Sequence, residues 1–570
     1  MTPRPRAQTI AHWQFACGRC TTGSTTDMPA ATYKAPYFPI VYVRGYAMTQ
    51  GEIDQTTADP FCGFNVGSTV HRAVPDRRSK PRKHVFESPL VRLASEYGYA
   101  DVYEDGYDIV DPEWETTADG KPTGNVLSGQ SIIIFRYYDS ASTLLGDGQT
   151  LDIEDFAKEL SQLLARVRDL VCGNPANAVA PADFRCYLVA HSMGGLVCRA
   201  MLQNPALDPQ RMRPHVDKFF TYATPHNGID VAGINAPAWL STTDINNFNR
   251  GKRMVQYLDL AGAYATHQRV DLLPEALFPA SRVFCMVGTN RLDYEAAAGL
   301  SRTFVGNGSD GLVRIENATL HGLKADGTLG EPCAKAFAYR AHSGFYGIVN
   351  SEEAFQNLAR FLFGHVRVDL WADLEDVRLP TAVQAQVDAG HKVNALYQME
   401  LRASPRGKLW YLTRRTAEED SVACMAHAQW QSDRHHYLSS VFLANSARVN
   451  PRRRSLAYGL EFGVRAPDYE IERRLWINEH YEGGYLFRNA LILEMEPPPD
   501  DATPWKVKYS WQGTGMVQAQ TVLDVQPLGD GRVEVVIPFD SHTVDGRGTH
   551  KPAHPGVRGQ LRFVISAWNA

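Results

Sequence analysis

The sequence predicts an α/β domain, a mostly parallel sheet with helices on both faces, followed by an antiparallel β-sandwich-like domain. Three observations predict it. Up to Gly364, apolar runs without alternation recur between helical patterns, as strands buried on both faces require. Beyond Gly364 the apolar runs are short, often alternating, and separated by turn residues. The 570 residues also exceed what one hydrophobic core usually supports, so more than one domain is expected.

Residues 1–35 are polar and rich in Thr, Ala and Pro, and read as a poorly ordered tail. Ile40 to Val43 is the first buried strand and ends at Arg44-Gly45. Residues 49–130 read as an insertion, with a polar loop excursion over 49–85 and helical spacing from Glu87 to Tyr99. Ile132 to Phe135 is a second buried strand. From Ile153 to Val171, Phe156, Leu160, Leu163, Leu164 and Val167 recur at three and four, which predicts an amphipathic helix. Phe184 to Ala190, Lys218 to Ala223 and Arg282 to Val287 are further buried strands. Glu352 to Phe363 is a helix with Ser351 as its N-cap and Gly364 as its stop.

In the second domain, 365–570, short strands are expected at Val366–Trp371, Leu396–Leu401, Leu456–Phe462, Val507–Trp511, Val533–Ile537 and Leu561–Ile565. The turn Leu528-Gly529-Asp530-Gly531-Arg532 separates two of them. The tryptophans of this domain serve as core, and bracing of the first domain is preferred to a dedicated binding surface.

Composition narrows the function classes. A net charge of -5 gives no global field for nucleic acid. Basic runs such as Arg77 to Lys83 and Arg452 to Arg454 read as solvated loops. No stretch reaches the roughly 18 consecutive apolar residues of a membrane span. Met1 to Thr26 lacks the apolar core of a secretory signal. The 9 cysteines are scattered, and Cys186, Cys198 and Cys285 sit in apolar runs as buried thiols. These features lead to the expectation of a cytoplasmic location. Cys17 and Cys20 form a lone pair in the tail and read as coincidence rather than a metal site. No His, Asp and Glu cluster has zinc or calcium spacing, so neither metal nor cofactor is expected.

The chemistry is carried by Ala190-His191-Ser192-Met193-Gly194-Gly195, set between a buried strand and a helical pattern. A strand, a sharp turn of small residues and a helix form the setting of a nucleophile elbow. A serine hydroxyl needs an adjacent base, and that base needs an orienting carboxylate, in the chain order Ser, Asp or Glu, His. His342, at the end of the candidate last strand and before the terminal helix, suits the base. Asp293 and Asp310 both follow the Arg282 strand, and Asp310 is preferred because Gly311 places it in a tight turn. The oxyanion hole should pair the Met193 amide with that of Tyr46, which follows Gly45.

Taken together, residues 36–364 resemble the α/β-hydrolase superfamily, especially bacterial lipases and esterases with an Ala-His-Ser-Met-Gly elbow. The supporting motifs, in order, are Pro39 to Gly45, the elbow, Thr224-Pro225-His226-Asn227-Gly228 and Ser309-Asp310-Gly311-Leu312-Val313. The resemblance implies Ser192, Asp310 and His342 as a catalytic triad. Arg44 departs from it, standing where many such lipases have His. His226 reads as a structural hydrogen-bonding residue that borders the site and could line its pocket.

Residues 229–280 separate two strands by far more than a crossover needs, and their apolar content reads as a lid-like wall for an acyl chain. Trp239 and Leu240 are its candidate substrate-binding residues. The expectation is a serine hydrolase of carboxylic esters with a hydrophobic acyl group. Its partner would be a small-molecule or lipid ester, met without a transmembrane segment and at most by transient contact with a lipid interface. The same constellation serves an amidase or acyltransferase. A non-catalytic binding protein on the same fold is the alternative of a different class.

Overall fold

The structure, a computed structural model, describes residues 33–45, 69–72, 82–85, 89–105, 108–110, 126–135, 137, 152–231, 234–235, 248–292, 308–344, 346–472, 479–500, 503–512, 521–544, 546 and 548–569. The first domain is built on one sheet. Its strands are β1 (Ile40–Val43), β2 (Ala100–Asp105), β3 (Asp108–Val110), β4 (Ser131–Phe135), β5 (Cys186–His191), β6 (Val216–Tyr222), β7 (Val283–Gly288) and β8 (Ala334–Ala338). Their spatial order is β8-β7-β6-β5-β1-β4-β2-β3, parallel throughout except for the β2–β3 pair.

Side chains alternate across a strand, so each strand feeds two cores. Val41, Val43, Ile133 and Leu188 pack against α2 (Ile153–Cys172) and α3 (Met193–Gln203). Ile40, Tyr42, Ile132 and Val189 pack against α1 (Pro89–Tyr97) and α4 (Glu352–Phe363). Every residue of β1, β4, β5 and β7 is buried, which is why these strands show no polar alternation. At the start of α4, Ser351 Oγ accepts from the Ala354 amide at 3.2 Å, and the helix stops at Gly364. The fold is therefore the expected mostly parallel sheet with helices on both faces.

Two segments differ from the sequence reading. Within 49–130, residues 69–72 pair with 82–85 as a ribbon, and β2 joins the main sheet beside β4 rather than belonging to an insertion outside it. Asp101, Glu104 and Asp105 break its apolar run, so the strand is not visible as a buried one. Within 229–280, the described part from 248 onward packs into the core. Met254, Tyr257, Leu258, Leu272 and Leu273 are buried with α2 and α3. Arg199 of α3 fixes it by donating to the carbonyls of Val270 and Leu272, and Gln203 donates to that of Leu258. This part forms a core layer, because buried donors on α3 bind its backbone; Trp239 and Leu240 lie outside the described residues.

The second domain is a two-sheet antiparallel sandwich. One sheet contains β9 (Val366–Arg378), β12 (His435–Leu443), β17 (Gln526–Gly529), β18 (Arg532–Asp540) and β19 (Gly556–Ala567). The other contains β10 (Lys392–Pro405), β11 (Thr413–Arg415), β13 (Leu456–Glu472), β14 (Glu479–Glu496), β15 (Lys506–Trp511) and β16 (Thr521–Val522), with residues 423–426 paired to β10. The strands run much longer than the apolar runs suggested: β13 has 17 residues and β14 has 18. Charged residues on the outer face interrupt the apolar run of β14 without ending the strand, and the buried pair Ser439-Ser440 interrupts that of β12, so both strands escaped the sequence reading.

The sandwich covers the outer edge of β8. Thr413 Oγ1 accepts from the Phe337 amide at 3.2 Å, and Ser439 donates to the Lys335 carbonyl at 2.8 Å. Trp568 stacks on Phe361 of α4 and donates to its carbonyl at 2.7 Å. An open parallel edge is a pairing hazard, and here the second domain supplies its hydrogen bonds.

Candidate active site

Between β1 and β5 the connections turn from one side of the sheet to the other, so a crevice opens at the carboxyl ends of these two strands. Ser192 lies there, between β5 and α3. Its backbone is at φ 53°, ψ −128°, a conformation that costs a non-glycine residue on the order of 1–3 kcal/mol. Packing enforces it. The Ser192 amide donates to the Tyr222 carbonyl at 2.9 Å. A Cβ on Gly194 would stand 2.2 Å from the Arg44 carbonyl oxygen, and one on Gly45 would stand 2.4 Å from Ser192 Cβ. Two glycines thus allow the ends of β1 and β5 to meet.

His342 lies in the loop after β8, with its Nε2 2.9 Å from Ser192 Oγ and its Nδ1 2.9 Å from Asp310 Oδ2. A carboxylate oxygen only accepts, so Nδ1 carries the proton and Nε2 faces the serine hydroxyl as an acceptor. The Asp310 carboxylate is fixed in turn. Its Oδ1 accepts from the amides of Leu312 at 3.0 Å and Val313 at 2.7 Å, while its carbonyl accepts from the His342 amide at 3.0 Å. Gly311 takes φ 101°, the left-handed backbone that this tight turn needs. Ser192 is 7% exposed, His342 3% and Asp310 1%, so the three interact away from bulk water, where electrostatic interactions are stronger.

His191 belongs to the elbow motif, and the sequence assigns it no role of its own. Its Nε2 is 2.9 Å from the His342 carbonyl. A carbonyl only accepts, so His191 Nε2 carries a hydrogen, and burial pushes its pKa well down, keeping the ring neutral. It ties the loop of His342 to the serine turn. Its position next to Ser192 was the only signal that could have marked it, because the bond is to main chain 151 residues away.

The other expected residues divide. Met193 opens α3, so its amide belongs to the first helical turn, whose N–H groups have no intrahelical partner. Tyr46 and Asp293 lie outside the described residues. His226 is fully buried with Nε2 3.2 Å from Thr221 Oγ1, and burial pushes its pKa well down. Its carbonyl receives Arg199 at 2.8 Å. It therefore braces the interior of its turn and does not line an open pocket, because its ring is enclosed between β6 and α3. Among the described residues, no group of three or more His, Cys, Asp or Glu side chains is arranged to hold a metal. No described helix is long and apolar enough to cross a membrane.

A hydroxyl aligned on a neutral imidazole, itself oriented by a carboxylate, can serve as a nucleophile toward a carbonyl carbon. No protein-family model matches the chain, and no curated protein matches it. Among solved structures, the chain is similar to the Bacillus licheniformis lipase BlEst2, at 13% identity and a TM-score of 0.29 over 59% of this chain and 96% of that one. It is also similar to the phospholipase PlaB from Legionella pneumophila, at 12% identity and a TM-score of 0.29 over 78% of this chain and 90% of that one.

Proposed function

We propose that the chain hydrolyses carboxylic esters with a hydrophobic acyl group through an acyl-enzyme on Ser192. The observation that carries this reading is the pair of 2.9 Å contacts linking Ser192 Oγ, His342 and Asp310. His342 Nε2 takes the hydroxyl proton as Oγ attacks the ester carbonyl. Asp310 keeps the imidazole in the required tautomer and stabilises its cationic form. The Met193 amide, with the Tyr46 amide as second donor, stabilises the oxyanion; one such donor lowers the barrier by about 3–4 kcal/mol. The tetrahedral intermediate expels the alcohol, which takes the proton from His342. Water then gives a proton to His342 as it attacks the acyl-enzyme, and the acid leaves as Ser192 Oγ takes that proton back from His342. The preference for a hydrophobic acyl group rests on Trp239 and Leu240 in the long segment between β6 and β7.

A fluorophosphonate probe should label Ser192 in the wild-type chain and leave Ser192→Ala unlabelled. A chain-length panel of p-nitrophenyl esters should then give rates that rise with acyl length to an optimum. Absence of label and of turnover in the wild type, or equal turnover in Ser192→Ala, would sink the proposal.

A further inference from the structure

A cavity of about 460 Å³ lies between the two domains, on the far side of the loop that carries Asp310. The first domain contributes Gly308, Arg314 and Lys335 to its wall, and the second contributes Arg415 and Asp420. Arg269 and Glu316 complete its charge, giving four cations against two carboxylates.

These cations are not equally compensated. Arg269 is held by both oxygens of Asp271. Arg314 reaches Glu316 at 3.3 Å with one terminal nitrogen, while its buried Nε has no partner among the described residues. Among the described residues, no carboxylate forms an ion pair with Lys335 or Arg415. Instead the Lys335 ammonium is 4.8 Å from the centre of the Tyr437 ring, and the Arg415 guanidinium is 4.3 Å over Phe337. Burial lowers the Lys335 pKa to about 8, with the Arg415 charge adding to the effect, and burial lowers that of Arg415 to about 10. Two half-buried like charges side by side, without a counter-ion among the described residues, are unfavourable, and a bound anion is the direct remedy.

We propose that this interdomain cavity binds a phosphate-bearing anion, held by Lys335, Arg415 and Arg314. A carboxylate brings one charge and two oxygens in a plane. A phosphate brings up to two charges and a tetrahedron of acceptors, which matches three cations arriving from separate elements. The volume falls in the range of small-molecule sites, about 300–1,000 Å³, so it accommodates a phosphate with an organic group attached. The site is separate from Ser192 and does not depend on its chemistry. It shares a loop with Asp310, however: the Ile315 amide closes on the Gly308 carbonyl at 2.9 Å, and Ser309 bridges to Arg314. Ligand on Arg314 restrains that loop.

Pyrophosphate titrated into the full chain by calorimetry at constant ionic strength should give saturable binding. Lys335→Met and Arg415→Gln should each weaken it about tenfold or more, as expected for loss of a charge-assisted hydrogen bond. Lys335→Arg should retain it, which separates loss of charge from loss of fold, and Ser192→Ala should bind like the wild type. Hydrogen exchange of the 308–316 amides should slow when ligand is added. Glycerol 3-phosphate and phosphatidate-containing vesicles separate a soluble phosphate ester from a lipid headgroup, and binding of either that is lost in Lys335→Met supports the site. No saturable binding of any of these probes, or binding unchanged in the Lys335→Met/Arg415→Gln variant, would overturn it.

Discussion

At the turn after β5, backbones meet at contact distance. There is no room for a methyl group on Gly45 or Gly194, and Ser192 is held in a backbone conformation it would not choose alone. At the seam between the domains, aromatic rings and long side chains make the contact instead. Trp568 stacks on Phe361, Phe442 meets Phe284 and Phe361, Lys218 donates to Asn569 Oδ1, and Asn569 bonds to the carbonyls of Leu362 and Gly364. The first region fixes a few atoms by excluding alternatives. The second holds a large surface by many contacts, none of which is indispensable. Changes at the turn should therefore remove activity and leave most of the stability, whereas changes at the seam should do the reverse.

The strongest test of this contrast is Asp310→Asn. It keeps the shape of the turn but no longer enforces the Nδ1–H tautomer of His342, and kcat should fall about 10⁴-fold. An unchanged melting temperature measured alongside would place the loss in chemistry rather than folding. A loss of tenfold or less would mean that the 2.9 Å contact with His342 does not orient the base. Gly45→Ala is next. Its methyl group would stand 2.4 Å from Ser192 Cβ, so the serine must shift, and a displacement of about 1 Å costs roughly a hundredfold in kcat. Full activity in this variant would show that the ends of β1 and β5 are free to part.

Trp568→Ala tests the other side of the comparison. Chemical denaturation should show a loss of about 2–3 kcal/mol, below the usual range for a wholly buried tryptophan because this one is half-buried. The kcat of the folded fraction should stay near that of the wild type. A large kcat loss would mean that the seam controls the position of His342 through β8.

The smallest expected effect is on pH dependence. Burial lowers the pKa of His226 below its unfolded value, so below about pH 6.5 the unfolded chain binds the extra proton. The His226 contribution to stability is therefore complete above that pH and declines as the pH falls below it, by at most about 1.4 kcal/mol per pH unit. Urea denaturation at pH 7 and pH 5 should show a smaller difference for His226→Gln than for the wild type. An equal difference in the two proteins would mean that this ring titrates like an exposed one.

Much of the α/β domain was legible because its strands are buried on both faces and its helices carry clear apolar stripes. Ser351 and Gly364 announced the ends of the last helix, and the apolar runs of β1, β4, β5 and β7 announced themselves. The strand β2 did not, because Asp101, Glu104 and Asp105 break its apolar run and its place in the sheet is marked by pairing with β4. The long strands of the sandwich were underestimated for a related reason: one face of each carries charges that read as interruptions.

For the site, the sequence by itself determined the types and order of the reacting groups. The elbow hexapeptide, the Asp310-Gly311 turn and a histidine before the last helix are local patterns, each set by a few neighbouring residues. Only the tertiary structure decided which of these groups touch. Ser192 and His342 are 150 residues apart in the chain, and His342 and Asp310 are 32 apart. The bond from His191 to the His342 main chain, the packing of residues after 248 into the core and the cluster of Lys335 with Arg415 exist only because distant segments fold to one place. Local sequence fixes backbone preference and chemical identity; distances between remote residues depend on how the strands are ordered in the sheet and how the second domain closes on its edge.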